Sequence, residues 1–180
     1  LPAAHPEAAP LAVPPGSTLL HSAHHLARSL AASKASAVVD DVPDAVVIGA
    51  DTIVVAEHGI LGKPVDAADA ARMLRLLSGR RHHVVTGIAI LRRQPPVSLV
   101  DSSETAVWFR GLTDDEISRY VATGEPLDKA GAYGIQGYGA ALVESIKGDF
   151  FAVMGLPIAR MVSLLRALGW RYNFRGLEPW

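Results

Sequence analysis

AVVIGADTIVV, residues 45–55, decides how this chain folds. β-Branched and small apolar side chains fill the run, the pattern of a strand buried on both faces. Asp51 interrupts it in the middle. An ionised carboxylate there is costly to desolvate unless it is paired or holds a cation. Side chains alternate along a strand, so Asp51 should share a face with Gly49 and Ile53, and Thr52 should point the other way. Gly49 is expected to leave open space beside the carboxylate. An Asp that ends the strand and caps a turn is the alternative. The immediate return to Ile53, Val54 and Val55 favours a continuous strand.

With 180 residues, 49% of them hydrophobic, the chain can bury one sizeable core and is too short to need two full domains. A formal net charge of -1 gives no global basic field for nucleic acid. The absence of cysteine excludes disulfides, thiolate zinc sites and a Cys nucleophile, and fits a cytoplasmic location. No apolar run approaches the roughly 18 residues of a membrane span, and no signal peptide is recognisable. Residues 1–16 form a Pro- and Ala-rich arm whose prolines (Pro2, Pro6, Pro10, Pro14, Pro15) rule out a regular helix or a central strand. The first residue is Leu, so the natural start is expected to lie outside this chain.

Residues 17–39 read as a helix with Leu20, His24, Ala27, Ala31 and Ala35 on one face. His21 and His25 have a metal-ligand spacing but no third ligand, and read as an exposed face. Asp40, Asp41 and Pro43 break the helix before the central strand. Glu57 to Gly59 makes a hairpin turn, and Gly62-Lys63-Pro64 a rigid one. Asp66 starts a second helix with a buried stripe of Ala70, Met73, Leu74 and Leu77, ended by Gly79. Arg80 to His83 reads as a polar edge before the buried strand 84–91. Residues 97–110 continue as extended structure, with Thr105, Val107 and Phe109 on one face. A capping box, Thr113 with Glu116, opens a short helix that turns Ile117, Tyr120 and Val121 inward. The segment 124–139 is the richest in glycine. Residues 140–146 and 149–153 read as a strand pair, 158–168 as a last helix closed by Gly169, and the aromatic tail as packing back on the body.

Three islands are polar where their surroundings are not: Asp51-Thr52, Lys63, and Glu125 to Gln136. Together they supply carboxylates (Asp51, Glu125, Asp128), ammonium groups (Lys63, Lys129) and glycine-rich backbone. That set suits a phosphate chain carried on a divalent cation, with acids holding the metal and lysines neutralising phosphate oxygens. The sequence contains no GxxxxGK[ST] loop, no GxSxG elbow, and no GxGxxG opening a helix, since GYGAAL lacks the third glycine. Each residue also has a plain reading. Lys63 could be a solvated turn lysine, Asp128-Lys129 a surface ion pair of little value, and Gln136 a loop side chain bonded to nearby backbone. Their co-occurrence carries the weight.

In this order, GADTIV, GKP, LSGR, VVTG, TGEPLDKAGAYGIQG and IKGDFFAVMGLP resemble the Maf family of nucleoside triphosphate pyrophosphatases. The likeness covers roughly residues 34–169. It implies an elongated α/β fold, a single Maf-like domain whose strongly curved mixed sheet is flanked by helices, with two lobes around a cleft. The implied reaction is hydrolysis between the α and β phosphates with Mg²⁺ or Mn²⁺, and the implied assembly is a homodimer. Residue by residue, the resemblance makes Asp51 the base that activates water, and Asp51 is also the candidate metal ligand. It makes Lys34 and Lys63 phosphate binders and places Asp128 and Lys129 in the cleft. Thr52 and Gln136 match the branch that takes dTTP and UTP. Gln136 suits a pyrimidine imide, accepting from N3–H and donating to O4, although a flipped amide would serve cytosine equally well.

The family opens with a strand and an SxSPRR-like loop that grips the phosphates, and nothing of that kind precedes Ser17. The natural N-terminal strand and phosphate loop are therefore expected to be absent, leaving a sheet edge to cover. The reading is a dTTP/UTP pyrophosphatase, extending to modified pyrimidine nucleotides. The alternatives are a weakly active nucleotide-binding regulator of septum formation and cell division, and a 7-methyl-GTP pyrophosphatase.

Overall fold

Residues 47–56 form the strand β1 (Val47–Ala56), one residue longer at its end than the apolar run itself. The computed structural model describes residues 18–57 and 59–180. The expectations for the Pro-rich arm, the absent first strand and phosphate loop, and the His58 corner of the turn lie outside them. After β1 come β2 (Gly59–Leu61), β3 (Arg81–Arg92), β4 (Val97–Phe109) and β5 (Val143–Lys147), in the sheet order β2-β1-β3-β4-β5. The sequence reading expected a mixed sheet. Among the described residues every pairing in this sheet is antiparallel. Short reversing connections join β1 to β2 and β3 to β4, and a tight turn can only return the chain antiparallel.

One face of the sheet is covered by α1 (Leu19–Val39), whose buried positions are Ala23, Ala27, Ala31, Ala35 and Val39. The stripe thus starts at Ala23 rather than at Leu20 and His24, which stay half-buried. The reason lies in the strands beneath. A Cβ on Gly87 would overlap the carbonyl oxygen of Ala27 and lie 2.7 Å from the Arg28 nitrogen. A Cβ on Gly49 would overlap the Ala31 carbonyl oxygen and lie 2.9 Å from the Ala35 Cβ. The helix backbone rests on the strand backbone, and only alanine fits between them. Gly49 therefore leaves no open space beside Asp51; α1 fills it. Near its N-terminus α1 is also pinned through Glu104 of β4, which receives His24 at 3.2 Å and His83 at 2.7 Å.

The other face carries the larger core. Here α2 (Ala67–Leu77) and α3 (Asp114–Ala122) pack Leu74, Leu77 and Ile117 against Val54, Val107 and Phe109. The helix-opening devices are as the sequence predicts: Asp66 caps α2, and Thr113 with Glu116 forms the capping box of α3. Two assignments change. Arg81, His82 and His83 belong to β3, and His82 is only 1% exposed. Residues 150–154 are not a strand but a helical turn, α4 (Phe150–Met154), because Asp149 accepts the Phe151 N–H and Gly155 closes the turn at φ 119°. Within 140–146 only β5 is extended; residues 137–142 form a 3₁₀ segment. The last helix, α5 (Ile158–Ala167), leads to a hairpin of β6 (Trp170–Tyr172) and β7 (Leu177–Pro179). The aromatic tail, expected to pack back on the body, largely pairs with itself instead: Phe174 is 87% and Trp180 72% exposed, and the Trp180 ring centre lies 5.2 Å from the Arg166 guanidinium of α5 and 5.7 Å from that of Arg171 in β6. No described helix is long and apolar enough to cross a membrane.

Gly87→Ala should cost about 3 kcal/mol or more, since the added methyl must displace α1. Urea denaturation reads the change as a lower midpoint, and an unaltered midpoint would show that α1 does not rest on β3. His82 gives a second handle. Its Nε2 bonds the Tyr133 hydroxyl at 2.8 Å, its ring meets Phe109 and Tyr133 edge-on, and its Nδ1 has no hydrogen-bond partner among the described residues. Burial, aided by the nearby His83, pushes its pKa down from 6.5 to about 4. The unfolded chain therefore takes up the proton first as pH falls. The stability held by neutral His82 is complete above about 6.5 and lost between there and about 4, on the order of 3 kcal/mol. Thermal unfolding from pH 7 to 4 should show that loss reduced in His82→Gln.

Candidate active site

β1 places Asp51 and Thr52 on opposite faces of an unbroken strand, opposite Gly87 and Thr86 of β3. The contact at Gly49 fixes what surrounds Asp51. It brings Lys34, between Ala31 and Ala35 on α1, into an ion pair with Asp51 Oδ1. Lys34 Nζ also donates to the Ala50 carbonyl at 3.3 Å. The buried-strand acid thus has the partner its position demands. Among the described residues Oδ2 makes no further hydrogen bond or ion pair. Lys34 and Asp51 open together into a cavity of about 370 Å³.

Seven of the residues singled out from the sequence line that cavity, Lys34, Asp51, Thr52, Lys63, Asp128, Lys129 and Gln136; Glu125 does not. Lys63 gets there through the turn after β2, where the Gly62 carbonyl accepts the Gly131 N–H at 3.0 Å. This bond fastens the Lys63 turn to the glycine-rich segment, and Lys63 stands exposed at the cavity wall. Lys129 bonds Asp128 at 2.6 Å and the Glu125 carbonyl at 3.1 Å. The Lys129 hydrogen bond first, then the charges of Lys129 and Lys63, holds the Asp128 carboxyl below its usual range. Asp128 is largely exposed, so its pair with Lys129 adds little stability. It sits at the cavity wall none the less.

Glu125 has a role the sequence did not reveal. Its Oε1 accepts the Tyr120 hydroxyl and the Gly139 N–H, each at 2.9 Å, and its Oε2 accepts the Tyr138 N–H at 2.9 Å. The Tyr120 hydroxyl in turn accepts the Gly134 N–H at 3.3 Å. Burial alone would raise the Glu125 carboxyl, but these amides and the phenol hold it below its usual range. Carboxylate and phenol together clasp both ends of residues 134–139, with Gln136 exposed between them. Glu125 is thus a loop holder rather than a metal-binding acid. The one sequence signal was an acid opening a glycine-rich stretch shortly after an inward-facing Tyr. Thr86 and Tyr133 were missed as well. Tyr133 lines the cavity, and Thr86 bonds Thr52 from beneath, with hydroxyl oxygens 2.9 Å apart.

Among the described residues no three His, Asp or Glu side chains converge as a metal cage. His21 and His25 lie on the exposed face of α1, as expected. For a divalent cation at the cavity, the available protein donors are the Asp51 and Asp128 carboxylates. That fits an ion that takes one or two carboxylates and draws its remaining ligands from water and substrate phosphates.

Known proteins match this chain in sequence. The family described as "Maf-like protein" matches residues 5–168. A dTTP/UTP pyrophosphatase of Moorella thermoacetica is 55% identical over 141 residues, covering 78% of this chain and 73% of that protein. Its counterpart in Geobacillus sp. (strain WCH70) is 54% identical, covering 78% and 75%. The Bacillus mycoides (strain KBAB4) protein, also a dTTP/UTP pyrophosphatase, is 53% identical over 138 residues, covering 77% and 71%. A match over nearly the whole chain, joined to relatives identical at more than half their aligned positions, establishes that the chain is a member of the Maf-like protein family.

Proposed function

We propose that this chain is a nucleoside triphosphate pyrophosphatase that hydrolyses dTTP and UTP to the monophosphate and pyrophosphate. The observation that carries the reading is the gathering of Lys34, Lys63 and Lys129 with two carboxylates, Asp51 and Asp128, in a single cavity that also holds a hydroxyl and an amide, Thr52 and Gln136. Three ammonium groups suit a triphosphate, and the amide suits a pyrimidine edge. The names of the relatives point the same way.

In this reaction water attacks the α phosphorus, the bond to the bridging oxygen of the β phosphate breaks, and pyrophosphate leaves. Asp51 takes the proton of the attacking water. Lys34 holds Oδ1 of that carboxylate, so Oδ2 is the atom left for the water, and for the cation where one is bound. Lys63 and Lys129 neutralise the phosphate oxygens, with Asp128 orienting Lys129. A divalent cation, Mg²⁺ or Mn²⁺, held by Asp51 together with phosphate oxygens, would supply further neutralisation of the leaving pyrophosphate. Gln136 reads the base from the loop that Glu125 holds. The same reading takes the enzyme as a cytoplasmic homodimer.

Asp51→Asn should lower pyrophosphate release from dTTP by about 10³-fold, within the usual range for a lost general base, without lowering the unfolding temperature. Turnover at the native rate would overturn the assignment of Asp51. In Glu125→Gln, an amide N–H faces donors that now meet an acceptor. The KM for UTP and dTTP should rise about tenfold, the scale of one lost charge-assisted hydrogen bond, with a smaller change in kcat. Steady-state kinetics on the folded variant checks this, and a fall in kcat alone would contradict it.

A further inference from the structure

Thr52 and Thr86 face each other across β1 and β3, with their hydroxyl oxygens 2.9 Å apart. Thr86 is fully buried, and its oxygen lies 2.6 Å from the backbone carbonyl oxygen of Ala152 on α4. A hydroxyl owns one proton, and a carbonyl can only accept. The Thr86 proton therefore goes to Ala152. Thr86 then has nothing left to donate to Thr52, so the bond between the two threonines forms only if Thr52 donates. The chain runs one way, from Thr52 to Thr86 to Ala152. It leaves Thr52 with lone pairs, and no proton, to offer the cavity it lines beside Gly155.

We infer that Thr86 is a positioning residue for base choice: by taking the Thr52 proton it makes the Thr52 hydroxyl an obligate acceptor, which selects the N3–H of uracil or thymine over the N3 lone pair of cytosine. This rests on the proposed dTTP/UTP reading. In a nucleotide N1 carries the sugar, so N3–H is the only N–H of the uracil or thymine ring. The acceptor at Thr52 meets it directly and leaves Gln136 to donate to O4. Cytosine at the same place sets lone pair against lone pair and leaves both unpaired, which is how a polar site rejects a near-identical substrate. Gln136 cannot impose that choice alone, because its amide can turn over. The Thr86 relay ends on a backbone carbonyl, which cannot.

The test compares kcat/KM for UTP and CTP in the native protein, Thr86→Val and Thr86→Ser. In Thr86→Val the Thr52 proton is free to turn into the cavity and donate to cytosine N3. The UTP/CTP ratio should fall about tenfold, the scale of one neutral hydrogen bond, mainly through KM. Thr86→Ser keeps the relay and should keep the native ratio. Thr86 also clips α4 to the sheet, and mere loosening of α4 would weaken both nucleotides alike and leave the ratio unmoved. An unmoved ratio in folded Thr86→Val, or a native protein that does not distinguish UTP from CTP, overturns the inference. Should Thr86→Val fail to fold, N3-methyl-UTP tests the native protein. Losing the N–H should cost at least tenfold, and turnover equal to that of UTP overturns the inference. If the native protein turns over neither UTP nor dTTP, the pyrophosphatase reading falls instead. The same ratio, read from dissociation constants of UTP and CTP for the native and Thr86→Val proteins, then decides the inference separately.

Discussion

The contact on which the structure turns is backbone on backbone. Gly49 and Gly87 have no side chains where α1 crosses β1 and β3, and the helix answers with alanine at every fourth position from Ala23 to Ala35. A larger side chain on either surface would lift the helix off the sheet. The closeness has a chemical consequence. Lys34 lies between the two alanines that touch Gly49, and Asp51 lies two residues beyond Gly49 on the same face. Packing at the glycine thus places an ammonium against a carboxylate that would otherwise be costly inside a strand.

Around that pair, hydrogen bonds position the remaining groups. The Gly62 carbonyl fastens the Lys63 turn to Gly131, Glu125 and Tyr120 clasp the loop that carries Gln136, and Thr86 joins β3 to α4 under Thr52. Of these only Glu125 is charged, and its charge is spent on backbone amides inside the loop. The charged side chains that line the cavity, Lys34, Asp51, Lys63, Asp128 and Lys129, are left to act on a ligand. That division of labour suits phosphate chemistry, where positioning and electrostatic stabilisation outweigh covalent participation.

Much of this was legible along the chain. The strand at 47–56, though buried on both faces only from Ile53 to Val55, the stripe of α2, the caps at Asp66 and Thr113, and the seven cavity residues named from the sequence follow from local pattern or from motifs that resemble a family. The failures have local causes. Arg80 to His83 reads as polar, yet His82 turns inward because it finds Tyr133, 51 residues away in sequence. Residues 149–153 carry aromatic and β-branched side chains suited to a strand, but a cap at Asp149 and the left-handed turn at Gly155 curl them into a helix. Side-chain type states a preference, and the capping bonds overrule it.

By itself the sequence determined the periodicities, the ends of helices, and the kinds of groups available for chemistry, because these depend on neighbours a few residues apart. Only the tertiary structure decided which groups meet. The glycine read as open space proved to be the seat of a helix, because the atoms that fill it, of Ala31 and Ala35, lie eighteen and fourteen residues earlier. Glu125, a plausible metal-binding acid, proved to hold a loop, because its donors lie thirteen and fourteen residues further on. The direction of the Thr52 hydroxyl likewise belongs to no local pattern. It is set by a carbonyl on α4 acting through a threonine on β3, and such a relay exists only once three separate segments have packed together.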